Sequence, residues 1–231
     1  MKVAIMQPTF LPWLGYFALI EKVDKFVFLD SVQFESRSWQ QRNRILVNEK
    51  PHWITVPTVC PSGRSTLIRD VRVNFEHYSG NRFESIIRRN YSRCPGIKDL
   101  TSTFFGLILE PPELLSKFNV ALIKLISNQI GIQTEFVKAS NLEAKGEKAE
   151  LLLNICRELK ASTYVSPPGS RNYLQNFDGF RDNSILLEYL DFTHPQYYQN
   201  TPEFISHLSI VDVICHTGNV KTFQFIRDGL K

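Results

Sequence analysis

A loop rich in proline and aromatic residues follows the first apolar run of the chain and spans residues 7–16. Gln7, Trp13 and Tyr16 give this loop an amide, an indole and a phenol, which bind polar ligands by hydrogen bonding and stacking. Loops that follow strands are the usual places for binding residues, so we take these three side chains as ligand-binding candidates. The alternative is that Trp13 and Tyr16 only pack against a sheet.

Residues 30–44 supply a second group of polar side chains. Asp30 ends an apolar run, where its carboxylate can accept hydrogen bonds from sugar hydroxyls or act as a general base. Gln33, Arg42 and Asn43 offer donors that suit phosphate or sugar, and arginine binds phosphate in a bidentate manner. A structural pairing with an arginine is the alternative for Asp30. Arginines beside aromatic residues also occur in proteins that bind single-stranded nucleic acid, but this cluster is short.

A turn-rich segment, residues 166–173, follows a predicted strand later in the chain. Ser166, Gly169 and Tyr173 are candidates for binding, because a small turn before a helix can present backbone N–H groups to an anion. Two adjacent prolines remove two of these donors, and the glycine and lysine spacing of a P-loop is absent.

The last group of candidates lies between residues 194 and 212. An unperturbed histidine titrates near neutral pH, so His194 is a candidate general acid or base, with an ordinary structural role as the alternative. Gln199 and Asp212 are further candidates for ligand binding. Ser209 is typical of a helix N-cap, which puts Asp212 in the first helical turn, where a negative charge is stabilised. No G-x-S-x-G motif or metal-ligand spacing occurs, so we predict no hydrolase triad and no metal site.

Composition bounds the class of protein. The 231 residues carry a net charge of +4, which is too mild to indicate a nucleic-acid partner. Residues 1–100 nevertheless hold 15 Lys and Arg against 9 Asp and Glu, which suits an anionic ligand; a merely solvated surface is the alternative. The four cysteines form no C-x-x-C pair. Because no signal-peptide or membrane-span pattern is present, we expect a cytoplasmic protein.

The order of apolar runs predicts an α/β fold with a mostly parallel sheet and flanking helices. Residues 3–6 and 26–29 have the character of buried strands, and residues 14–23 between them have a helical apolar face. Strand, helix and strand in this order form a βαβ unit, whose strands are parallel.

The remaining pattern predicts an antiparallel excursion near residues 44–73 and a helical middle segment over residues 78–130. Strands and a helix alternate again from residue 134, and the last forty residues predict short helices. We find no repeat and no long linker, so we expect a single α/β domain over residues 1–231.

Taken together and in this order, the four segments resemble the WbqC-like family over nearly the whole chain. Members of that family often carry a second glycine at the position of Pro167. The residues that carry the resemblance are Gln7-Pro8, Pro12-Trp13, Gly15-Tyr16-Phe17, Asp24, Phe26-Val27, Leu29-Asp30, Gln33-Phe34, Arg42, Ile45, Trp53, Val56-Pro57, Tyr164, Ser166, Gly169, Tyr173, His194-Pro195, Tyr198, Gln199, Phe204, Ser209, Asp212 and Gly218.

The resemblance implies a bacterial protein of surface-polysaccharide (O-antigen) biosynthesis that forms an amide, by N-acyl or N-aminoacyl transfer, on a nucleotide-linked amino sugar. Acyl-CoA or ATP is then the candidate cofactor, and homo-oligomerisation stays open. In this scheme the loop of residues 7–16 and Arg42 hold phosphates, and Asp30 or His194 deprotonates the sugar amine. The alternative is a non-catalytic module that binds a sugar nucleotide or a partner enzyme.

Overall fold

The computed structural model describes all residues from 1 to 231. In chain order its strands and helices are β1 (Lys2–Met6), α1 (Leu14–Glu21), β2 (Lys25–Phe28), β3 (Arg42–Val47), β4 (Lys50–Thr55), β5 (Thr58–Val59), β6 (Arg72–Val73), α2 (Gly80–Tyr91), α3 (Ser102–Leu109), α4 (Leu115–Ile130), β7 (Glu135–Lys138), α5 (Lys148–Glu158), β8 (Thr163–Ser166), α6 (Arg171–Leu174), α7 (Gly179–Asp182), β9 (Leu186–Tyr189) and α8 (Ile210–Gly229).

Five strands form one parallel sheet in the order β7-β2-β1-β8-β9. The chain builds outward from β1 on one side through β2 and β7, and then crosses to the other side for β8 and β9. The order therefore reverses between β1 and β8, and ligands of open α/β sheets bind at the carboxyl ends of strands at such a point. The predicted α/β class, with a mostly parallel sheet and flanking helices, is confirmed.

The antiparallel excursion consists of two small pairs, β3 with β4 and β5 with β6. The hairpin of β3 and β4 turns at Asn48 and Glu49, both with positive φ, as a two-residue hairpin turn requires. The end of this excursion, residues 68–73, is only partly extended. Ile68–Asp70 is a turn of 3-10 helix, and only Arg72–Val73 is extended.

Apolar residues pack against both faces of the sheet. The larger cluster contains α1, α4 and α8, and the smaller one contains α5 and α7. Helices α2, α3 and α4 confirm the predicted helical middle segment. The last forty residues confirm the expected short helices, because a kink at Gly218, with a non-helical φ of 78°, divides α8 into two helical pieces. Asp99 accepts a hydrogen bond from the Asn219 N–H at 2.8 Å, which restarts the helix after the kink.

Buried hydrogen bonds fix the loop between β1 and α1, where Leu11 has a positive φ of 44°. The Asn43 amide donates to the carbonyl oxygens of Phe10 and Leu11 at 3.1 and 2.8 Å. The Ser209 hydroxyl donates to the same Leu11 carbonyl at 2.8 Å, and the Ile210 N–H donates to Pro12. We call this set of contacts the loop clamp. It joins the loop after β1 to β3 and to the start of α8.

The loop clamp predicts a large effect of Asn43→Ala on stability. The substitution removes both donors to the loop and the acceptor of the Arg44 N–H. Buried groups that lose their partners destabilise the fold, here by roughly 2–4 kcal/mol, measurable by urea unfolding. Asn128→Ala on the exposed face of α4 is the matched control and should change stability by less than about 0.5 kcal/mol. Equal, small effects of both substitutions would contradict the clamp.

Candidate functional site

A cleft of about 260 Å³ opens beside the carboxyl end of β1. Its walls come from the end of β1, the loop clamp, the start of α1 and the segment that precedes α8. The lining residues are Met6, Thr9, Pro12, Trp13, Tyr16, Trp39, Asn43 and His207.

The hydroxyls of Tyr16 and Thr9, two residues of the cleft wall, differ in whether they have a hydrogen-bond partner. The Tyr16 hydroxyl donates to the Gln7 carbonyl at 3.0 Å, and burial raises the pKa of Tyr16 well above its usual range, so the phenol stays neutral. The side chain of Gln7 accepts a hydrogen bond from Gln40 at 2.9 Å. The buried Thr9 hydroxyl has no partner within the protein. It is therefore an unsatisfied hydroxyl that is shielded from solvent behind the cleft wall.

Trp13 stacks parallel to His194, with ring centroids 5.8 Å apart, and lies 4.6 Å from the ring centroid of His207. A Cβ at Gly15 would overlap the Trp13 indole, so glycine allows the indole to lie over the first turn of α1. His194 Nδ1 is 2.8 Å from the Pro195 carbonyl, which leaves Nε2 as the acceptor nitrogen. Burial lowers the pKa of His194 and of His207, so both imidazoles are neutral at pH 7.

Four residues extend one side of the cleft outward, and we call them the tryptophan–arginine wall: Trp39, Trp53, Arg42 and Arg44. The two indoles are 5.1 Å apart and remain 47% and 40% exposed, which leaves aromatic surface free for a ligand. The Arg42 guanidinium lies 4.3 Å from the Trp53 ring, and that of Arg44 lies 5.9 Å from Trp39. Neither guanidinium forms an ion pair with a carboxylate.

The hairpin of β3 and β4 explains why these side chains meet. Arg44 pairs directly with Trp53 across the hairpin, and Arg42 lies two residues away on the same face. Asn43 and Ile45 alternate with them and are buried on the opposite face, where Asn43 enters the loop clamp. All three tryptophans of the chain thus lie at or beside the cleft.

Asp30 and Gln33, at the end of β2, do not line the cleft. Both oxygens of the buried Asp30 carboxylate accept hydrogen bonds from Ser140, at 2.9 and 2.8 Å. Gln33 is exposed and donates to the Arg64 carbonyl. A proton-accepting role for Asp30 stays a prediction, and it would require release of one bond to Ser140.

The segment after β8 also lies apart from the lining of the cleft. The Ser166 hydroxyl is buried and is 2.6 Å from the Ser170 hydroxyl. Gly169 is exposed, a Cβ added there would have no atom within 4 Å, and Tyr173 is 53% exposed. Their role in binding therefore stays a prediction.

Gln199 and Asp212 meet in a separate buried network. Asp212 is wholly buried and accepts hydrogen bonds from the hydroxyls of Tyr91 and Tyr197, each at 2.7 Å, and from Gln199 at 3.2 Å. Burial raises the pKa of Asp212, while the hydrogen bonds from the two tyrosine hydroxyls and from Gln199 oppose the rise. Ser209 caps α8 through the Val211 N–H, so the predicted N-cap is confirmed.

The candidate list from the sequence missed five polar or aromatic side chains of the cleft and its wall: Thr9, Trp39, Arg44, Trp53 and His207. The alternation of Arg42 and Arg44 in a strand was the available signal, because alternate residues share one face. His207 offered no local signal, since it lies in an irregular segment placed by α8.

The fold and the cleft define an α/β protein with a small cleft, lined by aromatic residues, at the point where the strand order reverses. The chain belongs to the WbqC-like protein family, whose model matches residues 7–223. It is 31% identical over 219 residues to the uncharacterized protein Rv1507c of Mycobacterium tuberculosis (strain ATCC 25618 / H37Rv), covering 94% of each chain. No solved structure matches it. None of its helices combines the length and the apolar character needed to cross a bilayer.

The overlap between Gly15 and Trp13 predicts that Gly15→Ala displaces the indole from the cleft. The forced shift should destabilise the protein by about 1–3 kcal/mol and change its tryptophan fluorescence. Gly106→Ala in α3 is the matched control, because nothing lies within 4 Å of the added Cβ. That substitution should stabilise the helix by up to about 1 kcal/mol. If Gly15→Ala stabilised the protein and left its tryptophan fluorescence unchanged, the proposed contact between Gly15 and the Trp13 indole would be wrong.

The lowered pKa of His194 predicts a pH dependence of stability. Because the unfolded chain takes up the proton first, this contribution is complete above the unfolded pKa and declines as pH falls below about 6.5. His194→Phe preserves an aromatic ring against Trp13 and cannot titrate. Urea unfolding should show a smaller loss of stability on acidification for this variant than for the wild type. Parallel pH profiles would show that burial does not oppose protonation of His194.

Proposed function

We propose that the chain binds a nucleotide-linked amino sugar at the cleft and forms an amide on its amino group, in the cytoplasmic phase of bacterial surface-polysaccharide biosynthesis. The observation that carries this proposal is the tryptophan–arginine wall, which places two guanidinium groups free of ion pairs beside exposed indoles at the switch point of the sheet. Membership in the WbqC-like family supports the same assignment.

The positive charges of this wall suit the phosphates of a sugar nucleotide, and its aromatic surface suits the nucleobase. Arginine binds phosphate through parallel hydrogen bonds, and no protein carboxylate competes for Arg42 or Arg44. The exposed faces of Trp39 and Trp53 suit stacking of a nucleobase.

Amide formation needs a neutral amine and a group that takes its proton. The amine nitrogen bonds to the acyl carbon of an acyl-CoA or an acyl-adenylate, and the bond from that carbon to the leaving group breaks, so that the CoA thiolate or AMP departs. The proton released from nitrogen passes to an imidazole. His207 lines the cleft, and His194 stacks on Trp13 beside it. Burial lowers the pKa of each, so both are unprotonated at neutral pH and suit this role.

A second candidate function is a binding module that performs no chemistry. One observation favours it: His194 Nε2 lies 3.5 Å from the His207 N–H, so the nitrogen that would accept a proton already has a protein neighbour. The module would hold the sugar nucleotide by the same tryptophan–arginine wall. Product formation, rather than binding, separates the two functions.

The binding step is tested by thermal stabilisation with UDP-, GDP- and dTDP-linked amino sugars. A ligand at about 100 times its Kd should stabilise the folded state by about 2.7 kcal/mol. The double substitution Arg42→Gln and Arg44→Gln should abolish the shift, while Arg69→Gln, whose only ion pair is with Asp70, should retain it. The melting temperature without ligand shows that each variant is folded.

Further incubation with acyl-CoA, or with ATP and a carboxylic acid, followed by mass spectrometry of the sugar nucleotide, tests the chemistry. An acylated product supports the transferase. Binding without a product under either donor supports the module, and absence of binding by all three nucleotides contradicts the proposed function.

A further inference from the structure

A second cavity, of about 600 Å³, lies between the end of α2, the hairpin turn of β3 and β4, and the segment that precedes α8. It shares no lining residue with the cleft. Tyr91, Gln199 and His216 bring the Asp212 network to its wall. Its volume is sufficient for a ligand of nucleotide size.

The hydroxyls and the amide of this network are fully engaged within the protein. The Tyr91 hydroxyl donates to Asp212 and accepts from the Leu46 N–H at 2.9 Å. The Tyr197 hydroxyl donates to Asp212 and accepts from Gln199 at 3.0 Å. The Gln199 carbonyl oxygen accepts from the Ile205 N–H at 2.7 Å. None of these groups needs a ligand to satisfy it.

His216 is the exception. Its Nδ1 is 2.9 Å from the Asp212 carbonyl oxygen and 3.6 Å from a carboxylate oxygen of the same residue. Two acceptors therefore face Nδ1, which fixes the proton on that nitrogen. Nε2 then carries the lone pair, has no partner in the protein and keeps contact with the solvent of the cavity. A lone pair in this position accepts a hydrogen bond from a ligand.

The rim of the cavity has the charge that suits an oxyanion. Arg89 and Arg93 both line it, and both are exposed without an ion pair, whereas the neighbouring Arg88 pairs with Glu84. Asn90 and Asn200 add amide groups to the same wall. Glu49 is the acidic residue among the lining side chains.

We propose that this cavity is a second binding site, for a phosphorylated ligand that carries a hydroxyl group, as nucleotides and sugar phosphates do. Arg89 and Arg93 bind the phosphate, and His216 Nε2 accepts a hydrogen bond from the hydroxyl. Asp212 is a positioning residue that sets the tautomer and the orientation of the imidazole. The site does not depend on the proposed function, since it shares no lining residue with the cleft.

The test uses the full chain with ATP, glucose 1-phosphate and adenosine as probes, with binding measured by calorimetry. ATP or glucose 1-phosphate, or both, should bind, and adenosine, which lacks phosphate, should not. Binding of one of the two identifies the nucleotide or the sugar phosphate as the ligand class. Arg89→Ala with Arg93→Ala should weaken binding by about tenfold or more, as loss of charge-assisted hydrogen bonds does. Arg157→Ala, an exposed charge on α5, is the matched control.

The nitrogen chemical shifts of the histidine rings, measured by NMR, test whether His216 contacts the ligand. A purely structural role of His216 predicts no change of its Nε2 shift when the probe binds. In the free protein the His216 signal, assigned by its loss in His216→Asn, should show protonated Nδ1 and unprotonated Nε2, and the bound probe should shift Nε2. His216→Asn retains a donor toward Asp212, so the variant should fold and bind more weakly.

Three results would overturn the proposal: no binding by either phosphorylated probe, an unmoved Nε2 signal at saturation, or ATP binding that is lost in Arg42→Gln with Arg44→Gln but not in Arg89→Ala with Arg93→Ala. The last result would place ATP at the cleft. Because the two pairs of arginines are independent, failure of this site and failure of the proposed function are distinguishable.

Discussion

The carbonyl oxygen of Leu11 is the point on which both sites depend. Asn43 and Ser209 each donate to it at 2.8 Å, so its two lone pairs are used by residues that lie 32 and 198 positions away in the chain. A buried carbonyl without these donors would be destabilising, which holds Leu11 in its left-handed conformation. The loop clamp in turn holds Trp13 beside the cleft. It also fixes Ser209, the N-cap of α8, and so positions Asp212 in the first turn of that helix.

Strand β3 contacts both the cleft wall and the Asp212 network, and so connects the loop clamp to the two sites. Arg44 presents its guanidinium to the tryptophan–arginine wall, and its carbonyl accepts from the Ser209 N–H at 2.8 Å. Two residues later, the Leu46 N–H donates to the Tyr91 hydroxyl in the network below the second cavity. A single short strand therefore contacts both sites, and the larger apolar core, which includes Ile45 and Leu46, supports it from behind.

Local patterns were sufficient for the βαβ unit and for the Ser209 cap, because apolar periodicity and capping act within a few residues. The kink of α8 at Gly218 was not predictable, since the hydrogen bond that starts the second helical piece is accepted by Asp99, 120 residues away. Asp30 shows the same limit: the sequence places it at a strand end, but only the fold shows that Ser140 occupies both its oxygens. The tryptophans gather through hairpin register and loop packing, which composition does not encode.

The central claim is that the tryptophan–arginine wall and the cleft form one ligand site. The most direct measurement is the indole N–H spectrum of nitrogen-labelled protein titrated with a UDP-linked amino sugar, since the chain has three tryptophans and all lie there. The account predicts that the signals of Trp13, Trp39 and Trp53 shift together and saturate at one ligand concentration, and that Arg42→Gln with Arg44→Gln removes the effect. Binding that saturates by calorimetry while the three indole signals stay unmoved would contradict it.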